Sequence, residues 1–447
     1  MREDFLHYLW RLARFDLREL KTTEGATLSI QNFGQHNQDA GPDFSFAQLR
    51  IAGVQWAGNV EIHLKASDWY RHGHQNDPSY NNVVLHVVLE EDRPVMDRLG
   101  RRIPCLELKG RIPAGLARSY WRLMHNEYWI PCQTQLGATS ALQLRSWLDR
   151  LSVERLEKRA AELSQRLARN QRDWENTFYE IIARHLGGRI NDEAMDMLAR
   201  SLPLKIALKH KHSLLQLEAL FFGQSGLLPD ESEEKYVQQL KREYRVLAQK
   251  YSLKPIPLTA WRYLRLRPNN FPTVRIAQLA TLIYQSGHLF SKCLAARNPQ
   301  ELQQAFKLKV SNYWRNHYRF GRNSRSQDKR LGIDGLRSLI INAVAPVYFL
   351  YGQQRQDERY QERALLLLQE LPAERNSQIL RWKKLGVKAA HAGDSQALLR
   401  LKRVYCSQSK CLECAIGCSI LNTGGKTGPP LLSVNEETQL YRLAQAV

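Results

Sequence analysis

A chain of 447 residues is longer than one hydrophobic core usually organises, so at least two domains are expected. Its 43% hydrophobic and 24% charged residues exclude a disordered or fibrous chain, and no run approaches the roughly 20 uninterrupted apolar residues of a membrane span. The formal net charge of +21 excludes an acidic, solvating protein and points to a polyanionic partner, nucleic acid above all.

Residues 3–15 repeat apolar side chains at helical spacing (Phe5, Leu6, Leu9, Trp10, Leu12, Ala13), which predicts an amphipathic helix at the start. The same segment carries acids and arginines where a signal peptide needs an apolar core, so the expected location is cytoplasmic. ATLSIQ, residues 26–31, alternates as a strand should, and Gly34, Gly41 and Pro42 then form a loop ahead of Asp43. Phe44 to Ile51 suits a strand, Ala52-Gly53 a tight turn, and Val54 to Lys65 an antiparallel return. A straight register sets Asp43 opposite Ile62. A one-residue bulge at Gly58, where a glycine interrupts the strand, would set Asp43 opposite His63 with Glu61 on the same face. Glu61, His63 and Lys65 alternate onto one side of the sheet.

Residues 67–82 (SDWYRHGHQNDPSYNN) are too polar, and too broken by Gly73 and Pro78, for a long helix. Val83 to Glu90 is nearly continuous in apolar residues and reads as a central strand with His86 inside it; Arg101 to Lys109 reads as an edge strand. This α/β part ends near Pro131. Beyond it, stretches such as SWLDRLSVERLEKRAAELSQRLAR and YVQQLKREYRVLAQKY place apolar residues three and four apart, and helices are expected almost throughout. The charge follows the same division. Residues 1–130 hold 16 Lys and Arg against 16 Asp and Glu, leaving 49 against 28 for residues 131–447.

Cutting a phosphodiester with a divalent ion requires carboxylates converging from neighbouring strands and a basic group to orient water or offset charge. Asp43 and Glu61 fit the first requirement, as ligands to Mg²⁺ or Mn²⁺, and His63 or Lys65 the second. Taken singly, an acid after Gly-Pro is a common turn former. The combination with Glu61-x-His63 on the next strand is what points to a site. His72 and His74, with Asp68 and Asp77 nearby, offer a second ligand set suited to Zn²⁺. His86, within an apolar strand, reads as a hydrogen-bonded core histidine.

Pro42-Asp43, then Glu61-x-His63, then a short connector into an apolar strand resembles the PD-(D/E)XK nuclease superfamily, whose core runs helix, three strands, helix, strand. The resemblance implies that Asp43 takes the proline-aspartate position and Glu61 the acidic one, with Glu3 a candidate for the helical glutamate some members add. His63 stands where the superfamily usually has lysine, and Lys65 could substitute for it. Over nearly its whole length the chain also resembles a bacterial family defined only as a domain of unknown function, DUF2851, through GPDF, GNVEIH, SDWYRHGH, VVLHVV, EALFFGQSGLL, RLRPNNFPTVRIAQLA and YCSQSKCLECAIG.

Toward the carboxyl end Cys406, Cys411, Cys414 and Cys418 follow C-x4-C-x2-C-x3-C, a spacing that suits Zn²⁺ or an iron–sulfur cluster in a reducing compartment, with Cys132 a further candidate ligand should Cys418 not be one. The TGGKTG segment after it lacks the strand and the spacing of a phosphate loop and reads as a plain loop. Two basic stretches interleave arginine with aromatics, the combination that single-strand binders use. WRYLRLRPNNFPTVR offers Arg265 and Arg267, and NYWRNHYRFGRNSRSQDKR offers Arg315, Arg319, Arg322 and Arg325. The expectation is a mixed α+β protein: a nuclease-like α/β domain over 1–131, a basic helical domain over 132–404, and a cysteine metal motif with a tail over 405–447. Its expected activity is metal-dependent cleavage of DNA or RNA. A nucleic-acid-binding protein that keeps the frame without the chemistry, or a His-rich zinc hydrolase, are the alternatives.

Overall fold

The computed structural model describes residues 1–37 and 39–424. It is mixed α+β, with a small mixed sheet near the amino terminus and a large helical part beyond it. The chain forms two compact units, Met1–Trp147 together with Leu401–Val447, and Leu148–Arg400. The expected boundaries were 131 and 404, and the two units divide the chain after Trp147 and after Arg400. The chain leaves the first unit inside the helix Ala141–Arg169, and the cysteine motif, expected as a separate tail, belongs to the first unit. The TGGKTG loop and the tail after it fall, from Gly425 on, outside the described residues.

Helix α1 (Glu3–Arg11) places Glu3 and Asp4 in its first turn and Arg11 in its last, as the helix dipole favours, and buries Phe5, Leu6, Tyr8, Leu9 and Trp10. Strands β1 (Leu28–Asn32), β2 (Gln35–His36), β3 (Phe44–Ile51) and β4 (Val54–Lys65) follow. A short helix α2 (Asp68–Arg71) and two single turns, His74–Asn76 and Pro78–Tyr80, lead to β5 (Val83–Glu90) and β6 (Cys105–Glu107). The sheet order is β1-β3-β4-β5-β6, with β2 paired to the start of β3. β1, β3 and β4 form an antiparallel meander, whereas β5 runs parallel to both β4 and β6. Seven of the eight β5 side chains are buried, as a strand flanked on both edges in a parallel arrangement requires.

The turn between β3 and β4 is the expected two-residue one, with Ala52 at φ 47° and Gly53 at φ 83°, the left-handed pair that suits strand twist. The bulge, however, lies on the other strand. Pairing runs from Ile51↔Val54 to Ala47↔Gly58 and then jumps to Phe44↔Val60, so β3 carries the extra residue. Phe46, at φ 60° and 72% exposed, is the residue looped out. The slip therefore runs opposite to the one expected at Gly58, and Asp43 faces Glu61 rather than His63. Gly58 is glycine for another reason: a Cβ there would sit 2.6 Å from the Asn82 carbonyl oxygen and 2.5 Å from Val84 Cγ1, so β4 and β5 could not approach.

The helical unit is built around one buried cluster that includes Phe178, Leu220, Phe221, Ile276, Leu279, Trp314, Val344 and Tyr348. Its helical stretch Ile333–Arg355 is long and apolar enough to cross a bilayer, yet 61% of its most apolar window is buried within the protein, as in a core helix. A short hairpin, His317–Arg319 with Arg322–Asn323, interrupts the helices.

Candidate metal centre

Asp43 and Glu61 meet across the β3–β4 pair through reciprocal contacts. The Asp43 backbone N–H donates to Glu61 Oε2 at 3.0 Å, and the Ile62 N–H donates to Asp43 Oδ2 at 2.9 Å. Each carboxylate is thus held by the main chain of the opposite strand, leaving one oxygen of each for another partner. Glu61 is 4% exposed and Asp43 keeps a side chain 22% exposed. His7 Nε2, from α1, faces Asp43 Oδ2 at 3.2 Å.

Three imidazoles close the other side. His63 stands two residues along β4 from Glu61, on the same face. The connector after β4 folds back so that His63 Nε2 is 3.1 Å from His72 Nδ1, while His74 Nε2 is 3.3 Å from Glu61 Oε1 and His63 Nε2 is 3.5 Å from the same oxygen. One ligand nitrogen from each of His63, His72 and His74 lies within 4.8 Å of the other two. Gly73, at φ 78°, makes the turn between His72 and His74. His74 is clamped between Tyr80, stacked at 3.9 Å, and Trp69, edge-on at 5.4 Å. His86, fully buried in β5, places Nε2 2.8 Å from His63 Nδ1 and so fixes the ring from behind.

The electrostatics suit a cation. Burial, reinforced by the Asp43 charge, pushes Glu61 well above the ordinary carboxylate range. Burial and then Asp43, with Glu61 contributing, push Glu3 up to about 7. Burial and the neighbouring His86, His74 and His72 hold His63 down to about 2, which leaves it a neutral ring with a lone pair to share. His7 moves the other way: burial opposes its protonation, but the Asp43 hydrogen bond and charge outweigh burial and raise it. Crowded acids that resist ionising, beside imidazoles kept neutral, lose both penalties when a divalent ion sits among them. His74 Nε2, 3.3 Å from Glu61 Oε1, is buried and makes no well-aligned hydrogen bond among the described residues, so its lone pair could turn to such an ion.

Of the residues expected from sequence, Asp43, Glu61, His63, His72 and His74 come together, and Glu3 lies within their electrostatic reach. Lys65 lies two residues beyond His63 on the same face of β4, and its charge acts on Asp92. Asp68 accepts from the Lys65 N–H and pairs with Arg71, and Asp77 caps the turn at Ser79, so both are occupied locally. The residue missing from the sequence reading is His7. Its only signal was the Glu3-x3-His7 spacing, which puts two titratable groups on one face of α1.

In the helical unit the two arginine-rich stretches are brought together. Thr273 Oγ1 donates to the Tyr318 carbonyl and Gln278 Nε2 to the Lys329 carbonyl. Arg265, Arg267, Arg322 and Arg325 are exposed there. Arg319 instead lies over the Tyr263 and Phe271 rings at 4.0 and 4.7 Å, and Arg315 pairs with Asp328 at 3.4 Å. Cys132, Cys411 and Cys414 are buried and Cys406 and Cys418 partly so, all as free thiols.

Fold and site together define a mixed α+β protein carrying a carboxylate–imidazole cluster at one sheet face. Residues 3–377 match the family described as protein of unknown function (DUF2851), and the chain belongs to that family. No curated protein and no solved structure matches the chain.

Proposed function

We propose that this protein hydrolyses phosphodiester bonds in nucleic acid with a divalent ion held by Asp43, Glu61 and the imidazoles of His63, His72 and His74. The observation that carries the reading is the convergence of two carboxylates from adjacent strands with three imidazole nitrogens lying within 4.8 Å of one another. The element order supports it. A helix, an antiparallel three-strand meander, a connector and a strand parallel to β4 follow the order of the PD-(D/E)XK core. The imidazoles favour Mn²⁺ or another transition ion over Mg²⁺, which prefers oxygen and water.

When bound, the ion would polarise the phosphate and lower the pKa of a coordinated water. The rest falls to the chain's own residues. His86 orients His63, the Ile62 N–H orients Asp43, and Trp69 and Tyr80 hold His74 in place. His7, whose cationic form Asp43 favours, supplies the positive charge that the superfamily usually takes from lysine. The exposed arginines at 265, 267, 322 and 325 bind the polyanion.

The test is cleavage of single- and double-stranded DNA and RNA by the full chain with Mn²⁺, Mg²⁺ or Zn²⁺ added to chelator-treated protein. Asp43→Ala and Glu61→Ala should each lower the rate by at least about a hundredfold, the several kcal/mol an ion contributes, with circular dichroism unchanged. Undiminished cleavage in either variant rejects the assignment. Binding without turnover under any ion leaves a nucleic-acid-binding frame. The imidazole triad also favours a second reading, a zinc hydrolase of small esters, and that reading wins if only Zn²⁺ restores activity and nucleic acid is not cut.

A further inference from the structure

A second group of candidate ligands, outside the carboxylate–imidazole site, is made of cysteines. Cys132 lies in the turns that follow the helix Ala114–Met124, while Cys406, Cys411 and Cys414 come from the far end of the chain. Folding returns residues 401 onward to the amino-terminal unit, on the segment that holds Cys132: Lys402 Nζ lies 5.5 Å from the centre of the Trp129 ring, Tyr405 meets Trp147 edge-on at 5.3 Å, and Ser419 Oγ donates to Gln143 Oε1 at 2.9 Å. The charges of Cys132, Cys411 and Cys414 bear on Cys406, those of Cys132, Cys414 and Cys418 on Cys411, and that of Cys414 on Cys132 and Cys418.

Local geometry shapes the 411–418 segment. Cys414 immediately precedes the helix Ala415–Gly424; burial raises its thiol, and the backbone N–H groups of Ile416 and Gly417 at the helix start oppose that rise. Gly417 has to be glycine, because a Cβ there would lie 2.2 Å from the Cys411 carbonyl oxygen and would push the 411–414 turn off the helix. Cys418 is engaged differently: its Sγ–H donates to the Leu412 carbonyl at 3.1 Å.

We propose that Cys132, Cys406, Cys411 and Cys414 form a four-thiolate centre for a thiophilic metal, Zn²⁺ or an iron–sulfur cluster, with Cys418 outside it. Such a centre ties two segments separated by the whole helical unit, and a cross-link closing so long a loop restricts the unfolded chain strongly. Among the described residues only the imidazole triad gathers three ligand atoms within 4.8 Å.

The test is anaerobic purification of the full chain, followed by zinc, iron and acid-labile sulfide analysis and a visible spectrum. Iron with equal sulfide and a brown charge-transfer absorbance identifies a cluster; one zinc per chain without sulfide identifies a zinc centre; either supports the proposal. Cys132→Ser should lose the metal and Cys418→Ser should keep it. If Cys132→Ser does not fold, Co²⁺ refilling of chelated wild type gives the second readout. Intense thiolate-to-cobalt bands, with four thiols shielded from a thiol reagent until the cobalt is removed, support the centre. Metal lost in Cys418→Ser but kept in Cys132→Ser overturns the ligand set, and wild-type protein that neither carries metal nor takes up Co²⁺ overturns the centre.

Discussion

Glu218 is an ionisable group that the fold holds against its own charge. It sits in the helix Leu214–Gln224 at 1% exposure, and its Oε2 accepts the Tyr236 hydroxyl at 2.9 Å. Burial pushes its pKa up to about 7, with the Tyr236 hydrogen bond and the nearby Ser311 hydroxyl only partly opposing. In the unfolded chain it titrates near 4.5. Between those values the folded state binds more protons than the unfolded one, so stability is fully present below about pH 4.5 and falls as pH rises toward 7. At about 1.4 kcal/mol per pKa unit, the loss is on the order of 3 kcal/mol. Glu218→Gln keeps an acceptor for Tyr236 and removes the charge. It should flatten that slope and raise the melting temperature at pH 8 by a few degrees, with little change at pH 4.5. Equal melting curves for the two proteins at pH 8 would show that the carboxylate is relieved in some other way. The same scale explains why His7 escaped the sequence reading. Four residues from Glu3, it reads as part of the polar stripe of an amphipathic helix, and only the packing of α1 beside β3 and β4 turns it onto Asp43.

At the scale of elements, β3, β4, β5, β6 and the Ala52-Gly53 turn were legible because alternation and turn chemistry are local properties. The bulge was not. A strand glycine is the usual sign of one, and here Gly58 serves the close approach of β5 while the left-handed position went to Phe46. The pairing leads to a prediction. With Phe46 looped out, Phe44, Ala47, Leu49 and Ile51 all point into the core. Deleting Phe46 lets Ser45 pair with Asn59 and leaves Phe44↔Val60 and Asp43 opposite Glu61 as they are. It also removes a non-glycine residue held at φ 60°, a strain of about 1 to 3 kcal/mol. Under the proposed activity, the deletion should therefore keep metal-dependent cleavage within about tenfold of wild type, since Asp43 and Glu61 stay in place, and should not lower the melting temperature. Loss of cleavage in a folded deletion variant would mean that the exposed ring, and not only the register, serves the site. The closeness of His72 and His74 was legible, but the approach of His74 to Glu61 was not, because it depends on a long-range parallel crossover that local spacing does not report.

At the scale of the whole molecule, charge and chemistry are divided along the chain. The first 130 residues carry balanced charge and the candidate centre, and the later residues carry all of the +21 excess. If the excess grips a nucleic-acid backbone, affinity must fall with salt, because each neutralised phosphate releases counterions and contributes roughly 0.7 to the log–log slope on single strands. The structure divides the six arginines expected to make those contacts. Arg265, Arg267, Arg322 and Arg325 are exposed, whereas Arg319 lies over Tyr263 and Phe271 and Arg315 pairs with Asp328. Replacing the four exposed arginines by alanine should lower the slope for single-stranded DNA by about 2 to 3 and weaken binding at physiological salt, without changing the melting temperature. Arg319→Ala should do the reverse, leaving the slope nearly unchanged and lowering stability by about 0.5 to 2 kcal/mol through the lost ring contacts. Fluorescence anisotropy across a salt series, read beside thermal melts of the same variants, separates the two groups. A slope unchanged in the fourfold variant would move the binding surface away from these two stretches and leave their arginines as solvating charge.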